Sequence, residues 1–348
     1  MYNVNKKLII MNIDWQNLPF GYLKTDYNVR CWYRDGKWGE IEISSEESIN
    51  IHMAASSLHY GQEAFEGLKA YRCKDGKIRL FRPDENAARL QSTCRGIMMP
   101  ELPTERFVEM CKLVVKMNER FIPPYGCDSS LYIRPLEIGL SPRIGVSPAT
   151  EYMFMVMVMP VGPYFKHGFK PTQVVIYRDY DRAAPCGTGR WKVGGNYAAG
   201  MQATQRAKAN GYAAALFLDP KEKLYIDECG PANFFGIKGN KYITPKSGSI
   251  LPSITNRCLQ QIALDMGMEV ECRPIHVEEL ATLDEAAECG TAAVAAPIYL
   301  IEDHDKGVNY TFGTPDKAGP VVTKLMQRLR DIQRGDYPDE HGWVMILE

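Results

Sequence analysis

Residues 152–171 decide how this chain can fold. Tyr152 to Met159 reads Tyr-Met-Phe-Met-Val-Met-Val-Met, an unbroken apolar run that fits a strand covered on both faces. Directly after it, residues 160–171 hold three prolines and two glycines in twelve positions, which breaks any regular element. A buried strand that ends in such a break closes one folded unit, and an exposed connection leads to the next. We therefore expect a smaller N-terminal domain over residues 1–160, a linker loop over 161–172 and a larger C-terminal domain over 173–348. The 348 residues are enough for a core in each.

Local patterns fill in both halves. Arg30 to Tyr33 and Trp38 to Ile43 flank Asp35-Gly36 as a hairpin, and Gly67 to Cys73 with Lys77 to Phe81 flank Asp75-Gly76 as another. Helices are expected from Asp84 to Arg95, from Thr104 to Asn118, from Tyr197 to Asn210 and from Thr255 to Met266. Strands are expected at Val174 to Arg178, Ala213 to Leu218, Lys223 to Ile226, Ala232 to Ile237, Lys241 to Thr244 and Val294 to Tyr299. Strands mixed with helices in both halves point to two α+β domains, with a ligand cleft between them.

Bulk properties exclude several classes. The charge balances to −1, so no basic surface for nucleic acid and no charged surface for a membrane is expected. No apolar run reaches the roughly 20 residues of a membrane span. The patch Lys6 to Met11 is too short for a signal-peptide core, which makes the cytoplasm the expected compartment. Ten cysteines without a CxxC pair read as reduced, packed thiols, and six histidines without an HExxH-type cluster give no support for a metal site.

Three segments carry chemistry. Lys192 lies between Gly187-Thr188-Gly189 and Gly194-Gly195, a loop able to approach a flat ligand, and a desolvated lysine is suited to imine chemistry. Alone, it reads as an exposed loop lysine, which is what most lysines are. Leu251-Pro252-Ser253-Ile254-Thr255 opens a helix whose first amides have no internal partner, so it is either a phosphate cup or an ordinary cap. Cys289-Gly290-Thr291-Ala292-Ala293 is a small-residue turn with free amides. Glu228 ends a strand before Gly230, and alone it reads as a surface carboxylate. Gly187-Thr188-Gly189 is not a dinucleotide fingerprint, because the third glycine and the preceding strand are missing.

Taken together, these segments resemble the branched-chain amino acid aminotransferases, pyridoxal-phosphate enzymes of fold type IV. The resemblance rests on Lys192-Val193-Gly194-Gly195-Asn196-Tyr197, Leu58 to Tyr71, Ile78 to Pro83 with Asn86 to Leu90, Leu131 to Pro135, Glu228, Ile254-Thr255 and Gly290-Thr291-Ala292. These occur in the family's order across residues 55 to 300. The resemblance implies a D-amino acid aminotransferase-like architecture: a small N-terminal α/β domain and a larger C-terminal domain with a β-barrel-like core. It implies pyridoxal 5'-phosphate as cofactor and no metal.

The implied reaction moves the amino group of leucine, isoleucine or valine to 2-oxoglutarate, giving glutamate and branched-chain 2-oxo acids. Lys192 would form the imine with the cofactor and move the proton. Glu228 would hold the pyridine nitrogen protonated. Tyr197 would donate to the ring's phenolic oxygen. Arg89, the amides of Ile254 and Thr255 and the Thr291 hydroxyl would hold the phosphate. Tyr60, Phe65, Tyr132 and Tyr164 would form an apolar wall, with Tyr60 reaching across from a second subunit of a homodimer or higher homo-oligomer. The α-carboxylate would sit on the amides of Thr291 and Ala292. Arg134 would orient the aromatic groups and admit the side-chain carboxylate of glutamate. Lys69 would tether loops around the pocket.

The chain departs from the family at several places. Pro231 stands where some relatives have a hydroxyl residue near the cofactor, Arg190-Trp191 is bulky ahead of the lysine, and in Pro252-Ser253-Ile254-Thr255-Asn256 the family commonly has glycine before the isoleucine and arginine directly after the threonine. Ala293 and Ala296 occupy the places of a redox CxxC in some relatives. A D-amino acid aminotransferase or an aminodeoxychorismate lyase would share the lysine, glutamate and phosphate cup, and would lack the Phe65-Glu66-Gly67 and Tyr132-Ile133-Arg134 pair.

Overall fold

The computed structural model describes residues 13–163 and 168–347. Its first sheet has eight strands. β1 (Asn28–Arg34) and β2 (Lys37–Ser44) form the first expected hairpin. A short helix α1 (Ser56–Tyr60) leads to β3 (Glu63–Phe65), and β4 (Leu68–Arg72) and β5 (Ile78–Phe81) form the second hairpin. Helices α2 (Pro83–Gly96) and α3 (Thr104–Met117) follow, then β6 (Ser130–Gly139) and β7 (Tyr152–Val161).

The apolar run in β7 has the expected cause. On one side Phe154 meets Phe107 of α3 with ring centroids 5.7 Å apart, and on the other Met153 and Met155 pack with Ile138 and Leu140. The strand continues through Pro160 and Val161, which pair with Leu131 and Ser130. Proline is tolerated there because β1 pairs with β7 only as far as Val156, so that edge needs no further amide donors.

The second sheet has nine strands: β8 (Thr172–Ile176), β9 (Ala214–Leu218), β10 (Ile226–Cys229), β11 (Ala232–Lys238), β12 (Lys241–Thr244), β13 (Glu269–Cys272), β14 (Glu285–Gly290), β15 (Val294–Asp303) and β16 (Val308–Thr311). Strands β10, β9, β8, β15, β14 and β11 follow one another, and β11 pairs back to β10, so they close into the expected barrel-like ring. Helices α4 (Gly194–Ala199) and α5 (Met201–Ala209) precede β9, α6 (Ile254–Asp265) lies between β12 and β13, and α7 (Pro320–Arg334) follows β16. The last strand, β17 (Val344–Leu347), returns to the first sheet and pairs with β5.

Two local expectations differ from the structure. The helix expected over Tyr197 to Asn210 begins at Gly194 and is interrupted at Gly200, giving α4 and α5. The strand expected over Lys223 to Ile226 begins only at Ile226. There the Asp219 carboxylate accepts from the amides of Glu222, Leu224 and Tyr225 and curls residues 219–225 into a turn, with Lys223 at φ 57°.

Candidate active site

Lys192 is fixed from its backbone outwards. Its amide donates to Thr93 Oγ1 of α2 at 3.1 Å, and its carbonyl accepts from the Phe65 amide of β3 at 3.2 Å. Asn196 closes the loop, its Nδ2 donating to the carbonyls of Thr188 and Trp191, each at 2.8 Å. Trp191 lies against Gly96 at the end of α2, where any Cβ would overlap the indole. Arg190 is exposed. Trp191 therefore fastens the loop to α2, and neither Arg190 nor Trp191 lines the cavity described below.

The Lys192 ammonium donates to the Tyr197 hydroxyl at 2.7 Å and lies 4.7 Å from the centre of the Phe65 ring. Burial and then the positive charge of Arg89 push its pKa down to about 8, against a smaller opposing pull from Glu66. At pH 7 a lysine with that pKa has roughly three-hundredfold more free amine than one at the ordinary value. The Tyr197 hydroxyl is pushed up to about 12 by burial and stays a donor.

Arg89 is held by a residue that motif reasoning missed. Its Nε and Nη2 reach Glu66 Oε1 and Oε2, both at 2.7 Å, and the Glu66 side chain is fully buried. The remaining Nη1 donates to the Pro252 carbonyl at 3.1 Å, which brings the arginine to the turn that opens α6. Ser253 caps that helix by accepting from the Asn256 amide at 3.2 Å, so the capping reading holds. The amides of Ile254 and Thr255, one turn short of any helical acceptor, remain available to an anion.

Glu228 is buried in the middle of β10, whose four residues are all buried. Burial pushes its pKa up to about 7, while Arg182 and the Leu251 amide favour the carboxylate. Leu251 donates to Oε1, and Arg182 Nη2 stands 3.4 Å from the same oxygen.

A cavity of about 210 Å³ is lined by Phe20, Phe65, Tyr132, Arg134, Lys192 and the turn from Gly290 to Ala293. Arg134 Nη2 donates to the Tyr132 hydroxyl at 2.9 Å, its guanidinium carbon lies 4.9 Å from the Phe65 ring centre, and its buried Nε has no hydrogen-bond partner among the described residues. Phe20 meets Tyr132 edge-on at 5.3 Å. Gly67 allows this packing, because a Cβ there would overlap the Tyr132 hydroxyl. The Thr291 hydroxyl donates to the Gly67 carbonyl at 3.2 Å, and Lys69 donates to the Ala292 carbonyl at 2.9 Å. Burial, and then the charges of Arg334 and Arg330, push Lys69 down to about 7.

Among the sequence-derived site residues, Phe65, Tyr132, Arg134, Lys192, Tyr197, Thr291 and Ala292 line this cavity. Glu228 lines an adjoining one of about 230 Å³ that shares Tyr197 and Pro231 with it. Arg89, Ile254 and Thr255 line neither. Tyr60 is 41% exposed and borders a separate cavity, so it does not reach its own chain's pocket. Tyr164 lies outside the described residues. Beyond Glu66, sequence reasoning missed Phe20, Thr93 and Arg182. A charged Glu66 between Phe65 and Leu68 was the one local signal. Among the described residues there is no group of metal-binding side chains, and no helix is long and apolar enough to cross a membrane. All ten cysteines are free.

Residues 63–301 match the amino-transferase class IV family, and with this fold they define a class IV aminotransferase. The chain is 47% identical over 344 residues to a branched-chain-amino-acid aminotransferase of Haemophilus influenzae, covering 97% of this chain and 99% of that one. The solved branched-chain amino acid aminotransferase of Escherichia coli superposes with a TM-score of 0.79 at 26% identity, over 93% of this chain and all of that one. The branched-chain amino acid aminotransferase of Thermobaculum terrenum, solved in its PLP-bound holo-form, gives 0.76 at 25% identity, over 93% and 99%. The chain belongs to the branched-chain-amino-acid aminotransferase family, whose class uses pyridoxal 5'-phosphate.

Proposed function

We propose that this enzyme transfers the amino group of leucine, isoleucine or valine to 2-oxoglutarate, with Lys192 as the amine that holds the cofactor. The observation that carries this reading is the Lys192 amine: half-buried, depressed to about 8, and aimed at Tyr197 on the wall of an aromatic cavity. Pyridoxal 5'-phosphate supplies an aldehyde that condenses with amines and a protonated ring that withdraws electrons from the substrate Cα. The residues present fit it: a desolvated amine, a buried carboxylate, an arginine beside a helix start and free amides at that start.

The remaining chemistry belongs to the side chains. With the cofactor bound, Lys192 would take the substrate Cα proton and later give it up again, a transfer that needs an amine near neutral pKa. Glu228 keeps the ring nitrogen protonated. Tyr197 donates to the ring oxygen. Arg89 and the amides of Ile254 and Thr255 hold the phosphate, with the Thr291 hydroxyl at its edge. The amides of Thr291 and Ala292 receive the α-carboxylate. Phe65 and Tyr132 present an apolar wall to an aliphatic side chain. Arg134, whose buried Nε has no hydrogen-bond partner among the described residues, takes the γ-carboxylate of 2-oxoglutarate or glutamate in the alternate half-reaction. A second copy of the chain covers the exposed apolar cluster of Met53, Leu58, Tyr60, Ile144 and Val146 and lends its Tyr60 to the pocket.

Borohydride reduction followed by peptide mapping tests the lysine. A pyridoxyl adduct on Lys192 is expected, and an unmodified Lys192 in protein that loses activity on reduction would sink the assignment. An amino-donor panel with 2-oxoglutarate, run on both enantiomers, tests the substrate. Consumption of D-alanine without L-leucine would make this a D-amino acid aminotransferase.

A further inference from the structure

Arg182 touches none of the groups assigned above except Glu228, yet it joins the three segments that form the site. It is 8% exposed, and it lies in the irregular stretch between β8 and the lysine loop. One nitrogen, Nη2, donates to the Gly189 carbonyl at 3.0 Å and to the Ser249 carbonyl, and stands 3.4 Å from Glu228 Oε1. Gly189 belongs to the loop that ends in Lys192. Ser249 belongs to the turn that leads through Leu251 to the start of α6. Gly189 and Ser249 are also in direct contact, since a Cβ on Gly189 would overlap the Ser249 backbone.

The two oxygens of Glu228 are therefore not equivalent. Oε1 accepts from the Leu251 amide and faces the Arg182 guanidinium. Oε2 is the oxygen free to meet a cofactor. A carboxylate held at one oxygen by an amide hydrogen bond, with a guanidinium charge beside that oxygen, has a favoured plane and a favoured direction for the other. The neighbouring Asp227 makes its hydrogen bonds elsewhere, its carboxylate accepting from the hydroxyls of Ser247 and Ser249, and these two bonds hold the same turn from the other side. Its charge also feels Arg182 and opposes ionisation of Glu228, so the Arg182 guanidinium stands between two carboxylates.

We propose that Arg182 is a positioning residue for the cofactor: through Nη2 it fixes Glu228 as a carboxylate with Oε2 presented to the pyridine nitrogen, and it holds the lysine loop and the phosphate turn in register with that carboxylate. This rests on the role given to Glu228 above. Arg182 contributes no contact to the substrate, so its effect falls on cofactor affinity and on turnover. The Michaelis constant of the amino donor is left nearly unchanged.

The test is a double-mutant cycle between Arg182 and Glu228, read as the dissociation constant of pyridoxal 5'-phosphate from the apoenzyme and as kcat with an L-amino donor. Arg182→Met is expected to weaken cofactor binding and lower kcat by about tenfold to a hundredfold, the scale on which supporting partners act. Arg182→Lys keeps the charge and three donors, so it is expected to recover most of both. In a Glu228→Gln background, Arg182→Met is expected to add less than about threefold, because its main target is gone. Effects that multiply fully in the double variant would overturn the proposal, as would equal losses in the Lys and Met variants. If Arg182→Met does not fold, Arg182→Gln removes the same charge, and the same outcomes decide. A Glu228→Gln enzyme with unchanged cofactor binding and turnover would instead refute the role of Glu228 itself, a result distinct from full multiplicativity in the cycle.

Discussion

Replacing Lys192 by methionine, which has nearly the same length and no charge, should make the apoenzyme more stable, and by an amount that depends on pH. The Lys192 pKa falls from 10.5 to about 8 on folding. The shift corresponds to about 3 kcal/mol of differential interaction between its two forms. For a base whose folded pKa is depressed, the unfolded chain binds more protons between the two values, so stability rises with pH across that window. Below pH 8 the penalty of holding an ammonium in the site is fully present, and it fades as pH approaches 10.5. The Met variant carries no such penalty. Its advantage over the native apoenzyme should be on the order of 3 kcal/mol at pH 7, shrink steadily above pH 8 and fall below about 1 kcal/mol near pH 10. Urea unfolding of both apoproteins at pH 7, 8, 9 and 10, followed by circular dichroism, measures the difference. A gap that is flat across this range would show that Lys192 titrates as an ordinary lysine and is not a poised amine.

Three further outcomes are expected. Glu66→Gln leaves Arg89 without its ion-pair partner in a buried site, which should cost about 3–5 kcal/mol of apoenzyme stability by denaturant titration, and a loss under about 1 kcal/mol would contradict the buried pair. Gly67→Ala drives a methyl into the Tyr132 hydroxyl, so the KM for branched donors should rise several-fold while the cofactor dissociation constant stays near native, and an unchanged KM would refute the packing argument. Gly96→Val displaces Trp191 from α2 and should lower the thermal midpoint through about 1–3 kcal/mol of overpacking, whereas a neutral substitution would mean that the indole does not anchor the lysine loop.

The chemistry-bearing segments were legible because each is local. Glycines around Lys192, the helix start at Ile254 and the turn at Gly290 declare themselves within a dozen residues. So did β7, whose unbroken apolar run has a single physical reading once its length is set by the proline break. What stayed hidden depends on pairs distant in the chain. Glu66 finds Arg89 across 23 residues, and Arg182 finds Ser249 across 67, with no local pattern to announce either partner. The pairing of β17 with β5 spans more than 260 residues, and four apolar positions at Val344–Leu347 do not specify which edge they will meet. Helix α7 is the opposite case. Its buried Val322, Leu325, Met326, Leu329 and Ile332 repeat with helical spacing between Pro320 and the left-handed cap Gly335, so the element could have been read from its pattern even though no motif points to it.

The hidden pairs are also the ones that set the electrostatics. Burial alone drives Lys192 down and Glu228 up, and carried far enough it would leave both neutral. Neighbouring charges correct each in turn. Arg182 and the Leu251 amide hold Glu228 toward its ionised form. Arg89 depresses Lys192, but the same arginine is matched by Glu66, whose charge pulls Lys192 back up. An arginine in that position without Glu66 would push the lysine further from its protonated state and leave an uncompensated charge in the core. The poise of the site near neutral pH is thus a property of two ion pairs, Arg89 with Glu66 and Arg182 with Glu228, set around the Lys192 amine. Motifs mark where the amine is. The counter-charges, recruited from elsewhere in the chain, decide in which protonation state it waits.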